Sequence, residues 1–355
     1  MTDSSPQFGQ WQMEDAPCDF CGAAEADVLL SAPDEIFGRD IRFNVVACRR
    51  CGLARTNPRP AAASLIEAYG LCHLPPGHIE EHFVVPTGLL RWALENYRGY
   101  PPMGRAEARP TSERHPPAVP SAGGPMPAPL RLLLAPLASV VLSHRKAATY
   151  PPYNGDGRLL DFGCGAGGYV ARAAAAGWTA EGLDLSPDTL EAGRAIDLSL
   201  QLGTLPGTDL PPESFDTVTA WGSLEHVTSP LATLKAIHAA LRPGGQLLLS
   251  VPRLDGAAAG WFGPAWYPLG LPLHLTHFTR ETLARHLEAA GFRAERFVSR
   301  RSAAYVRQSF SYLARHRGGR LCRSLARSRL VAGLLSYWAL ATGRSCMMIV
   351  LAKRV

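Results

Sequence analysis

Between residues 159 and 168 the chain reads Leu159-Leu160-Asp161-Phe162-Gly163-Cys164-Gly165-Ala166-Gly167-Gly168, an apolar run that breaks into closely spaced glycines. No other segment constrains the fold as much. An apolar run followed by such glycines is how a strand turns sharply into a helix. Gly163, Gly165 and Gly167 lack Cβ atoms, so the backbone can take positive φ and approach a ligand closely. The helix N-terminus behind them offers unpaired N–H groups. Asp184 lies 21 residues beyond Gly163 and ends the next apolar run, where a carboxylate can accept hydrogen bonds from both hydroxyls of a ribose.

From about residue 157 strand and helix patterns alternate, which predicts a parallel sheet covered on both faces, an α/β fold. RLLDF, TAEGLDL, FDTVTAW and QLLLSVP read as strands, followed late in the chain by FRAERFVS and CMMIVLAKR. YVARAAAAG, LATLKAIHAALR and TRETLARHLEAAG read as helices. A PGG turn leads into QLLLSVP, and an acid-containing loop precedes FDTVTAW. Thr279 is the expected cap of the third helix and Gly291 its terminator, without a full capping box, because Thr282 replaces an acid or amide. About 45 residues separate the last two strands, far more than a hairpin needs, so the spacing predicts a helical insertion over 302–342. Such helices are expected to cap the site, contact a membrane surface, mediate self-association or pack on the sheet.

At 355 residues with 46% hydrophobic content, the chain predicts two globular units. Residues 1–98 form a head ending in the helix GLLRWALENYRGY. Residues 99–129 read as a Pro-, Gly- and Arg-rich flexible linker. Residues 130–355 form the second unit, opening with an apolar helix over 130–142 broken at Pro136. The formal net charge is +6, and eleven Arg between Arg293 and Arg329 face the single acid Glu295, which favours an anionic partner. No apolar stretch follows a basic start, so export is not expected and a cytoplasmic location is. No run of apolar residues is long enough to predict a membrane span.

In the head, Cys18-Asp-Phe-Cys21 and Cys48-Arg-Arg-Cys51, each followed by Gly, stand 26 residues apart. Two C-x-x-C turns present four thiolates to a tetrahedral zinc ion. Four sulfurs close the shell, so the metal is expected to be structural. Arg49 and Arg50 are expected to offset its negative charge. Lone Cys72, Cys164, Cys322 and Cys346 read as packing residues.

The glycine loop alone leaves the cofactor open. Gly163, Gly165 and Gly168 also satisfy the dinucleotide pattern G-x-G-x-x-G, so NAD competes with S-adenosylmethionine. Asp161 favours the latter, because it can engage a cationic amino-acid moiety and would repel a pyrophosphate. The ordered motifs LLDFGCGAGGYV, EGLDLS, LPPESFDTVTAWGSLEHV, LRPGGQLLLSVP and LPLHLTHFTRETLARHLEAAGF resemble the class I S-adenosylmethionine-dependent methyltransferase family over roughly 157–299 plus the last strand. The resemblance implies a Rossmann-like seven-stranded sheet. It also implies that Asp161, Gly163, Gly165 and Gly167 hold the methionine portion, Asp184 the ribose and Asp209 the adenine.

Downstream of the second cysteine pair, CGLARTNPRPAAASLIEAYG resembles the zinc-ribbon head of sugar C-methyltransferases and of surface-polysaccharide or natural-product enzymes. The resemblance implies a small acceptor, a nucleotide- or lipid-linked sugar among them. In those enzymes a Glu-His pair serves as acid and base, which carries over to Glu225 and His226. They usually carry a larger domain after the core, whereas this chain has only an insertion. His226 has an ordinary pKa suited to a general base near neutral pH, with Glu225 orienting it; it could instead cap the next helix. His274 and His277 precede the last core helix, with no carboxylate nearby in sequence, so substrate contact or packing is expected rather than metal binding. The loop WFGPAWYP (261–268) suits either a lid over the acceptor or a hydrophobic plug. Zinc ribbons also occur in nucleic-acid binders, so RNA stands as the alternative partner.

Overall fold

The computed structural model describes residues 11–71, 87–101, 127–143 and 147–355. Its centre is a seven-stranded sheet built from β6 (Arg158–Phe162), β7 (Thr179–Asp184), β8 (Leu200–Leu202), β9 (Phe215–Trp221), β10 (Leu241–Pro252), β12 (Phe292–Arg300) and β13 (Met347–Arg354), in the order β12-β13-β10-β9-β6-β7-β8. From β8 to β10 the pairs are parallel, and β13 runs antiparallel to both neighbours. The chain leaves β6 toward β7 and β8, then returns to β9 on the other side of β6. That reversal creates a crevice at the carboxyl ends of β6 and β9, where open α/β sheets bind ligands.

Burial on both faces explains the uninterrupted apolar strands. In β10, Leu247, Leu249 and Val251 are fully buried, and each such side chain stabilises the fold by about 1.5–3 kcal/mol. Helices α4 (Gly168–Ala175), α5 (Pro187–Arg194), α6 (Pro230–Ala240) and α8 (Arg280–Ala289) flank the sheet. The sequence reading missed β8, whose three residues fall within the expected loop. The PGG turn lies within β10, where the register shifts between the Leu241–Phe215 and Gln246–Thr217 pairs. The box on α8 does close: Thr279 N donates to Thr282 Oγ1 at 2.9 Å and Thr282 N to Thr279 Oγ1 at 3.1 Å. A threonine hydroxyl is long enough to replace the expected carboxylate.

The head contains β1 (Met13–Glu14), β2 (Ala26–Pro33), β3 (Arg42–Cys48), β4 (Ala54–Thr56), β5 (Arg59–Pro60) and α1 (Ala62–Leu71). β1 pairs with β5, and β2, β3 and β4 form a second sheet completed by β11 (Thr276–His277) from the far end of the chain. Head residues Trp11, Phe43, Val45, Leu65 and Ala68 share a core with Trp266, Leu271, Leu275 and Phe310. The head is therefore joined to the rest by a sheet and a common core.

Next come α2 (Gly88–Tyr97) and α3 (Ala128–Ser143). Pro136 lies inside α3, which continues past it rather than breaking there. The proline removes only the bond to the Leu132 carbonyl, and Leu132 sits on the exposed side, where water can serve that carbonyl. The segment expected to open a flexible linker is packed as far as Pro101. Tyr100 is buried beside Tyr150 and Trp178, and its hydroxyl donates to Pro151 O at 2.8 Å. Residues 102–126 of that linker, and Cys72, lie outside the described residues. Cys164 and Cys346 are buried, as expected of packing residues, and Cys322 is half-buried.

The insertion forms α9 (Ala303–Arg317), α10 (Arg320–Arg327) and α11 (Arg329–Ala341). Among the described residues no helix is long and apolar enough to cross a membrane.

Candidate active site

Gly163, Gly165 and Gly167 all have positive φ, and their surroundings separate their roles. A Cβ on Gly163 would lie 2.2 Å from Ser223 Oγ, and one on Gly167 2.6 Å from Leu198 Cδ1. These two glycines allow close packing within the protein. A Cβ on Gly165 would meet only Thr189 Cγ2 at 3.8 Å, so Gly165 borders open space where a ligand can lie. Gly163→Ala is expected to lose about 1–3 kcal/mol to strain, plus the cost of the clash. Gly165→Ala should lose less stability, and ligand affinity instead. Melting curves paired with cofactor titration separate the two, and equal melting losses would contradict this division.

Asp184 holds the loop shut: its carboxylate accepts from Gly165 N at 2.8 Å and Ser186 N at 2.9 Å. Asp161 is buried on β6 and accepts from Thr219 Oγ1 at 2.6 Å. Burial pushes its pKa up to about 7, against the Thr219 hydrogen bond and the Arg172 charge. Asp209 is exposed on the loop after β8, and among the described residues its carboxylate has no hydrogen bond.

Across the crevice, Ser223 Oγ donates to Phe162 O at 2.9 Å, tying the segment after β9 to the glycine loop. Glu225 and His226 follow. The Glu225 carbonyl accepts from Leu275 N and Thr276 N, while Thr56 of β4 donates through Oγ1 to His274 O at 2.7 Å. His274 is thereby held between the head and the loop after β9. One ligand atom from each of Glu225, His226 and His274 lies within 4.8 Å of the others. The carboxylate that the sequence around His274 lacks is thus supplied by Glu225. His277 is buried, with Nε2 3.0 Å from Thr56 Oγ1.

His226 Nδ1 lies 3.1 Å from Leu273 O and 2.7 Å from Tyr69 Oη. A carbonyl only accepts, so Leu273 favours the proton on Nδ1 and leaves the lone pair on Nε2. His274 Nδ1 likewise faces Pro268 O at 3.0 Å. Both imidazoles can therefore accept a proton or a cation through Nε2. Burial lowers His226 to about 4, well below the ordinary value from which the sequence reading started. Burial also raises Glu225 to about 8, and its Oε2 has no hydrogen-bond partner among the described residues. Near neutral pH the pair is a neutral carboxylic acid beside a neutral imidazole. His226 does not cap α6: Ser229 occupies that position, and Asp19 of the head accepts from Leu231 N at 2.8 Å.

Tyr69 is the site residue that sequence reasoning missed. It belongs to α1 of the head, and only folding brings it to a histidine 157 positions later. Three aromatics of the loop pack inward, while Trp261 stays partly exposed. Phe262 and Trp266 are buried, Phe262 against Phe310, and Tyr267 packs on Tyr305 and Tyr312 of α9.

The four cysteines converge, with Sγ atoms 3.4 Å apart for Cys18 and Cys51 and 3.5 Å for Cys21 and Cys48. The two knuckles match: Gly22 N bonds Cys18 O and Gly52 N bonds Cys48 O, both at 2.8 Å, with both glycines at φ 73°. Burial raises the Cys18 and Cys51 thiols, whereas at Cys48 burial is outweighed by the N–H groups of Cys51 and Arg50 and the sulfurs of Cys21 and Cys51, which lower it. Four sulfurs this close, without a disulfide, fit a tetrahedral thiolate-binding ion. Arg49 does not serve as the expected counter-charge alone, since its guanidinium pairs with Asp27 at 2.6 Å.

Residues 138–296 match the family described as "Methyltransferase domain". The match spans under half of the chain. Over 148 residues the chain is 34% identical to the ubiquinone biosynthesis O-methyltransferase of Idiomarina loihiensis, covering 38% of this chain and 60% of that protein. Over 108 residues it is 38% identical to the tRNA U34 carboxymethyltransferase of Azotobacter vinelandii, covering 28% of this chain and 34% of that one. The matches thus span less than two thirds of either relative. A solved S-adenosylmethionine-dependent methyltransferase from Mesorhizobium loti is 22% identical, with a TM-score of 0.43 over 60% of this chain and 98% of its own. Asp161, Asp184, Glu225, His226 and His274 lie within the matched residues, and Tyr69 and the four cysteines outside them.

Proposed function

We propose that the protein transfers a methyl group from S-adenosylmethionine to a small biosynthetic acceptor, a nucleotide- or lipid-linked sugar among the candidates. The observation that supports this reading is the hydrogen bond from Ser223 to Phe162 O, which ties the segment leading into Glu225 and His226 to the strand end that opens the glycine loop. Asp161, the glycine loop and Asp184 are the cofactor side in this proposal. Asp209 keeps its adenine role only through the family resemblance. Bound S-adenosylmethionine would supply an electrophilic methyl group on a sulfonium. The chain's own task is to hold the acceptor in line with that methyl and to take a proton where the accepting atom carries one. His226 Nε2 is the proposed proton acceptor, with Leu273 O and Tyr69 Oη at its Nδ1 in place of the orienting role expected of Glu225, and Glu225 and His274 are proposed to face the acceptor. Zinc on Cys18, Cys21, Cys48 and Cys51 is proposed as structural.

Calorimetry with S-adenosylmethionine, S-adenosylhomocysteine and NAD tests the cofactor. Binding of NAD alone would overturn the proposal. An ammonium near Asp161 requires the carboxylate form, which is about half populated at the raised pKa of about 7 in the free protein. Cofactor affinity is therefore expected to be constant above that pH and to fall by up to roughly tenfold per pH unit below it. Titrations from acid to alkaline pH check this, with Asp161→Asn weakening affinity and removing the dependence.

A further inference from the structure

The outward face of α11 is apolar. Leu330, Leu334, Tyr337 and Trp338 follow one another at helical spacing, with Leu330 72%, Leu334 62% and Trp338 50% exposed. The side turned to the protein carries the small residues Ala332, Ser336 and Ala339. Val331 and Leu335 also pack inward, so the helix is apolar on both sides and the outward leucines and tryptophan exceed what the core uses. Trp261 of α7 (Ala257–Phe262), itself 41% exposed, stands 5.4 Å from the Trp338 ring and widens the patch.

The preceding helix supplies charge. No residue of α10 is buried, and Arg320, Arg323 and Arg327 recur at helical spacing on its outer side, with Cys322, Leu325 and Ala326 on the opposite side. Arg317 and Arg329 flank the helix. Residues 302–342 contain seven Arg and no Asp or Glu. Among the described residues, the one ion pair made by these arginines joins Arg315 to Glu35.

We propose that α10 and α11 dock on the surface of an anionic lipid bilayer. Leu330, Leu334 and Trp338 enter the boundary between headgroups and acyl chains, and the arginines reach lipid phosphates. The helices lie on the bilayer, because none of the described helices can span it. A second copy of the chain is a poorer occupant, since it would bring two acid-free arginine sets together. Nucleic acid would engage the arginines but gain nothing from two exposed leucines. This inference stands independently of the methyl-transfer reading.

The test is flotation of the full chain with phosphatidylcholine vesicles, with and without phosphatidylglycerol. Flotation is expected with the anionic vesicles and should weaken as salt is raised. Replacing Arg320, Arg323 and Arg327 by Gln should lower the partition by roughly a hundredfold. Leu330→Ser with Leu334→Ser, at unchanged charge, should lower it by roughly tenfold or more. The substituted side chains are exposed, so melting temperatures should match the parent. Should either multiple variant melt early, Trp338→Ser replaces it. Failure of the parent chain to float, or flotation indifferent to both sets of changes, overturns the proposal. So does a dimer in the absence of vesicles that the leucine changes dissolve, or salt-sensitive RNA binding with no vesicle binding.

Discussion

Stripping the zinc proposed for the four-cysteine site is expected to lower the melting temperature of the whole chain in one cooperative step, rather than release the head alone. Cys18, Cys48 and Leu53 share a core with Leu160, Phe162 and Leu183 of the seven-stranded sheet. The first knuckle also reaches the active-site side, where Asp19 accepts from Ser229 Oγ and from Leu231 N at the start of α6. The second is held by Arg285 of α8 through the Cys51 carbonyl. Structural zinc in small domains contributes roughly 10–16 kcal/mol of apparent binding energy, comparable to the whole stability of a typical domain. Cys48→Ser should therefore abolish stoichiometric zinc and leave protein that melts early and aggregates. Metal analysis with calorimetric melting, before and after a chelator, checks this. Two separate transitions, with the upper one unchanged, would mean that the head and the sheet fold independently.

The second large effect is expected at His226. His226→Ala should lower turnover by about 10²–10⁴-fold while leaving cofactor affinity near that of the parent, if the side chain acts on the acceptor as proposed. Tyr69→Phe removes one of the two oxygens at Nδ1 but leaves the Leu273 carbonyl, so its loss should be much smaller. The pH behaviour of Glu225 sharpens the test. A carboxyl raised from 4.5 to about 8 by burial stabilises the folded chain fully below the lower value, and that contribution is lost as pH rises toward the upper one. Glu225→Gln keeps the neutral form at every pH and should flatten this part of the melting-temperature profile. Turnover unchanged in His226→Ala would return that residue to a purely structural role.

Legibility differed along the chain for physical reasons. Strands buried on both faces leave continuous apolar runs, and β6, β10 and β13 were readable from them, whereas β12 is charged and largely unburied and was read from its few apolar residues alone. The three residues of β8 were not readable, because so short an edge strand carries no period. The capping box of α8 was misjudged because its rule is written for acids and amides, whereas geometry accepts any oxygen at the right reach. The helix through Pro136 was expected to break, yet its exposed side tolerates the missing bond. Gly163, Gly165 and Gly167 looked equivalent, and only their neighbours Ser223, Leu198 and Thr189 divide packing from ligand approach.

By itself the sequence determined the α/β class, the strand-to-glycine turn, the acid 21 residues on, the paired cysteines and the helical nature of the insertion. These are local facts, fixed by periodicity, backbone freedom and ligand spacing within a few residues. Tertiary structure alone decided that β11 completes the head's sheet, that Tyr69 meets His226 and that Glu225 joins His274. It also decided the protonation of the site, since burial, which no spacing rule reports, moves Asp161 and Glu225 up and His226 down. Hydrogen bonds between residues up to 281 positions apart depend on how separate elements stack, and the chain carries no local signal for them.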